Sequence, residues 1–131
     1  MRIDHTFTKD GRRVVSTTLT WLFHGGSVSV EVEDDAHAFY SDKLEKIVVE
    51  LFQHKKIAFY SESGDFSFDI PMPSLDGYSF WGLNKNFYSV TGVSVIFNPE
   101  AEGKKTEWND MVQYELLTTA PYVGKYLYIY R

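Results

Sequence analysis

The amino-acid sequence predicts an α+β fold, mainly antiparallel β-sheet in about seven to nine short strands, with one amphipathic helix near residues 41–54. Three observations carry that prediction. Aromatic residues make up 17% of the chain, and strands accept Tyr, Phe and Trp well. Residues 19–33 alternate at period two around a Gly-Gly turn. Leu44, Ile47, Val48, Leu51 and Phe52 fall at i, i+3, i+4, i+7 and i+8, which is one apolar stripe on a helix. If residues 41–54 are not helical, the same pattern reads as an all-β sandwich.

The alternation around the Gly-Gly turn is the clearest local signal. Leu19, Trp21 and Phe23 share one face of the first arm, and Val28, Val30 and Val32 share one face of the second. Ser27, Ser29, Glu31 and Glu33 fall between the valines, so they face water. His24, Gly25 and Gly26 connect the arms, and glycine takes the positive φ that a tight hairpin turn needs.

Upstream, Ile3, His5 and Phe7 alternate in a short first strand, and Lys9-Asp10-Gly11 is a turn signal before a long β run from Arg12. The expected helix has Ser41 as N-cap and Asp42 in its first turn, where negative charge favours the dipole. Ile47-Val48-Val49 is β-branched and argues for a strand instead. Strands follow at 56–62 and 66–70, separated by Ser63-Gly64-Asp65 and ended by Pro71-Met72-Pro73. Further β segments are expected at 78–81, 90–97 (with Gly92 at a bulge), 111–117 and 125–130. Residues 82–86 read as a turn and 98–105 as a polar loop. Residues 1–131 are expected to form a single globular domain, since the length fits one and no linker or internal repeat stands out.

The chain has no cysteine, which excludes disulfides, thiolate metal sites and cysteine nucleophiles. No apolar run approaches the roughly 20 residues of a membrane helix, and residues 1–10 lack a signal-peptide core. The expectation is a soluble, cytoplasmic protein with no membrane partner. A net charge of −5 disfavours nucleic acid as a partner.

No phosphate loop, nucleophile elbow or His-Glu-x-x-His pattern occurs. An acid–base pair could be drawn from Glu107 and Asp110, or from a His with an Asp, but spacing alone neither positions nor tunes either. Asp34-Asp35-x-His37 has metal-ligand residue types at short spacing, but an acidic run after a strand is the ordinary composition of a solvated loop. The sequence therefore predicts no enzyme, no cofactor and no metal.

What remains is charge and aromatic patterning. Glu31, Glu33, Asp34, Asp35 and Asp42 are five acids in a stretch with no Lys or Arg. Such a run suits docking of a basic protein, because charge of one sign steers association. The predicted partner-binding residues are Glu31, Glu33, Asp34 and Asp35, with Phe39 and Tyr40 as aromatic anchors. The alternative is a carbohydrate-binding β-sandwich module using Tyr78, Trp81, Asn84 and Asn86, where rings stack on sugars beside amide groups. In composition the chain resembles small bacterial inhibitor or immunity proteins: one acidic, cysteine-free domain without catalytic motifs. That resemblance implies neutralisation of a basic toxin or nuclease.

Overall fold

The computed structural model describes residues 1–100 and 111–130. Among these, eleven strands build three antiparallel sheets and no helix is present. The chain divides into two compact units, Met1–Pro71 and Met72–Arg131.

The first unit pairs a three-stranded sheet with a four-stranded one. Strands β1 (Asp4–Asp10), β2 (Arg13–Phe23) and β3 (Gly26–Val32) lie in that order. Strands β4 (Ala36–Ser41), β5 (Lys46–Leu51), β6 (Lys56–Ser61) and β7 (Phe66–Pro71) make the second sheet, again in chain order. The alternation read from the sequence decides which side chains meet. Leu19, Trp21 and Val32 from the first sheet pack with Ala36, Ala38, Ile47, Val49 and Ala58 from the second. The alanines leave room for the indole, whose Nε1–H donates to the Glu62 carbonyl at 2.7 Å and so is not left unsatisfied. A Cβ on Gly64 would meet Val28 Cγ1 at 2.7 Å, so the β6–β7 turn rests directly on the valine face of β3.

The helix expected near 41–54 does not form, and the all-β alternative is the one that fits. Ser41 ends β4, residues 42–45 turn, β5 runs Lys46–Leu51, and residues 52–55 turn again into β6. The stripe misleads because β5 is buried on both faces. Ile47, Val48 and Val49 are all fully buried, so apolar residues run continuously and imitate helical spacing. The ends of the stripe, Leu44 and Phe52, sit in the turns. Ser41 Oγ does accept the Leu44 N–H at 3.2 Å, the bond an N-cap makes. The chain then enters the left-handed region at Glu45 (φ 53°) and again at Lys55 (φ 53°), which ends any helical path.

The second unit is one meander, β8 (Tyr78–Lys85), β9 (Val93–Pro99), β10 (Met111–Leu116) and β11 (Val123–Tyr130), with sheet order β11-β10-β9-β8. Strand β8 continues through residues 82–85 of the expected turn and ends before Asn86. Phe80 pairs with Phe97 and Gly82 with Ile96, so Trp81 is the extra residue of a bulge. Gly92 (φ 73°) lies in the turn before β9 rather than in a bulge within it. Of the expected polar loop at 98–105, residues 101–105 lie outside the described residues, as do Glu107 and Asp110.

Candidate functional site

The acids predicted as one docking patch divide into two kinds. Asp34, between β3 and β4, is 1% exposed. Its Oδ1 accepts the Gln53 N–H at 2.9 Å, and its Oδ2 accepts the His54 N–H at 2.9 Å. The His54 Nδ1 lies 2.6 Å from the same Oδ2, so with Asp34 ionised this nitrogen carries the proton. Burial pushes the Asp34 carboxyl up, but the hydrogen bonds from Gln53 and His54 outweigh it and hold the pKa below the usual aspartate value. The carboxylate thus ties the end of β3 to the β5–β6 turn.

One side chain completes this corner. Thr17 on β2 donates its hydroxyl to the Asp34 carbonyl at 2.8 Å and accepts the Ala36 N–H at 3.1 Å. Two residues on, the Ala38 N–H donates to His5 Nε2 at 2.9 Å. Side chains from β1 and β2 therefore satisfy outward amides along the open edge of β4.

Glu31 and Glu33 flank that corner and are exposed. Among the described residues neither carboxylate has an ion-pair partner. Both line two shallow grooves. One, of about 670 Å³, is completed by Arg13, Val15, Ser16, Gln53 and His54. The other, of about 330 Å³, adds Val32, Leu51, Lys56, Tyr60 and Asp69. The cations present are engaged: Arg13 donates to Gln53 Oε1 at 3.1 Å, and Lys56 lies 3.7 Å from Asp69.

The other predicted contacts disperse. Asp35 is half-buried, and its carbonyl accepts the Phe52 N–H at 3.1 Å. Phe39 and Tyr40 point to opposite faces of β4 and line neither groove. Tyr40 packs on the sandwich core and donates its hydroxyl to Glu62 Oε1 at 2.8 Å. That bond to a carboxylate pushes the phenol up to about 12. The residues of the Asp34-Asp35-x-His37 pattern separate, Asp34 toward His54 and His37 onto His5, with ring centroids 5.3 Å apart. Among the described residues no three His, Cys, Asp or Glu gather as a metal would need.

In the second unit, Trp81 is 54% exposed on its bulge, and Tyr78 and Asn84 are half-buried. Asn86 is buried: its Oδ1 accepts the Tyr88 N–H at 2.9 Å, and its Nδ2 donates to Gln113 Oε1 at 3.4 Å. The same Gln113 oxygen accepts from Ser94 at 2.6 Å. This buried amide–hydroxyl network was not read from the sequence; the polar interruptions at Ser94 and Gln113 within apolar strands are its signal.

Comparison of the chain with family models, curated proteins and solved structures found no significant match. No helix among the described residues is long and apolar enough to cross a membrane.

Replacing Asp34 by Asn removes a charge from a site built to receive it and turns an N–H₂ toward amide donors. The expected loss at neutral pH is about 2–4 kcal/mol, from charge-assisted bonds worth roughly 1.5–3 kcal/mol each. Because the folded pKa lies below the unfolded one, the unfolded chain takes up the proton first on acidification. The difference between wild type and variant is therefore full above the ordinary aspartate value of 3.8 and closes as pH falls through the lower folded value. Urea titrations of both proteins across that range measure it.

Proposed function

We propose that this chain is a small protein-binding inhibitor of the immunity type, which neutralises a basic partner such as a toxin or nuclease. The observation that carries the reading is the pair Glu31 and Glu33: two exposed carboxylates with no ion-pair partner among the described residues, on a strand end fixed by a buried junction. Asp34 is the framework of that surface rather than part of its contact area. A rigid acidic edge loses little side-chain or loop freedom when a cationic surface docks, and its field speeds encounter.

A low-salt affinity capture from the native source, read by mass spectrometry, names the partner. The reading then makes a kinetic prediction. Replacing Glu31 and Glu33 together by Lys lowers the association rate about 10-fold or more, with a smaller change in dissociation. Added salt weakens the wild type and has little effect on the variant. Association kinetics unchanged by both the substitutions and the salt would exclude the acidic edge as the docking surface.

The exposed Trp81 favours a second reading, a carbohydrate-binding module. A ring displaced outward by a bulge is a stacking surface for a sugar. Asn86, which that reading also used, is committed to the buried network. Trp81→Ala is expected to abolish binding on a glycan array while leaving the thermal midpoint within a few degrees; retained glycan binding removes this reading.

A further inference from the structure

The proposed acidic contact has a strand beneath it, and the geometry of that strand specifies more than charge. The turn between β2 and β3 has two residues, His24 (φ 50°) and Gly25 (φ 77°), both with positive φ as a type I′ turn requires. In such a hairpin the flanking pair, Phe23 and Gly26, exchanges both backbone hydrogen bonds. The register runs on without a bulge to Thr17 opposite Val32. Alternation then turns the backbone groups of Val28, Val30 and Val32 toward β2, and those of Ser27, Ser29 and Glu31 away from it.

Strand β3 is the last in its sheet. Among the described residues, the outward N–H groups of Ser27, Ser29 and Glu31 have no hydrogen-bond partner. On β4, by contrast, Thr17 and His5 satisfy the outward N–H groups of Ala36 and Ala38. Nor does β3 carry the irregularities that close other edges: β1 shifts register at Thr8–Lys9, and β7 ends in Pro71. Its protection is the charge of Glu31 and Glu33, which repels acidic strands and admits basic ones.

We infer that the partner adds an extended segment to the edge of β3 by main-chain pairing, with basic and apolar side chains alternating along it. This inference rests on the reading of the chain as a binder of a basic protein. Residues of the segment directly opposite Ser29 and Glu31 share their face, so basic side chains there reach Glu31 and Glu33. The residues between them fall on the valine face, beside Val32, Leu51 and Tyr60, the apolar part of an otherwise polar groove, where apolar side chains fit. Main-chain bonds supply affinity and the alternating side chains supply selectivity, the division found in strand-addition complexes.

The probes are two ten-residue peptides of equal composition, one alternating lysine and valine, the other with lysines and valines in separate blocks. Calorimetry gives affinity, and amide exchange reports on Ser27, Ser29 and Glu31. The alternating peptide is expected to bind at least about 10-fold more tightly, a difference of about 1.4 kcal/mol, and to protect those three amides. Ser29→Pro removes one outward donor while leaving the ladder to β2 intact, and is expected to weaken binding by a similar factor. An alternating peptide N-methylated on the edge that would face β3 should fail to bind to the wild-type protein, which tests the same bond without touching the fold. Equal, salt-sensitive binding of both peptides, indifferent to Ser29→Pro and N-methylation, overturns strand addition and leaves the acidic docking surface standing. Absence of salt-sensitive binding by either peptide, together with partner binding unchanged in Glu31→Gln/Glu33→Gln, overturns both.

Discussion

The buried carboxylate of Asp34 ties the end of β3 to the β5–β6 turn and so holds the corner on which the first unit's acidic edge depends. Asp34 sits where the chain leaves β3 and enters β4, that is, where it passes from one sheet to the other. Two backbone amides and one imidazole close on it. Thr17 fixes the same residue from the other side through its carbonyl. A buried charge is costly unless it is fully hydrogen-bonded, and here the low pKa of the group records that the bonds outweigh the burial. The crossing between sheets is thereby held by polar bonds as well as by packing. The neighbouring Glu31 and Glu33 are left on a fixed strand end facing water.

The two edges that meet near this corner have opposite fates. Strand β4 has its outward amides at Ala36 and Ala38 satisfied by Thr17 and His5, whose side chains come from the facing sheet. Among the described residues, strand β3 keeps its outward amides open and carries charge instead. An edge closed by side chains contributes to the sandwich; an edge guarded only by charge stays available to a strand of the opposite charge. The functional reading depends on that asymmetry more than on the net charge of the chain.

Much of the fold was legible where strands have one dry face and one wet face. The hairpin of β2 and β3 is the clearest case, because Leu19, Trp21, Val28, Val30 and Val32 alternate with small polar residues and acids. Legibility failed where both faces are dry. In β5 the alternation disappears under Ile47-Val48-Val49, and a serine turn imitates a helix cap. It failed again at β8, where the bulge at Trp81 breaks the period-two pattern. The candidate site was half legible. Composition marks residues 31–35 as acidic, but no local pattern separates Asp34 from its neighbours. That distinction arises from Gln53 and His54, about 20 residues away in sequence, and appears only when the sheets pack.

The most direct test of this account is the titration of Asp34 itself, followed by NMR through its side-chain carboxyl carbon and through the amide protons of Gln53 and His54. The account predicts a midpoint below 3.8, with both amides moving in step with the carboxyl. A midpoint at or above that value, or amides that ignore it, would contradict the junction and with it the fixed acidic edge.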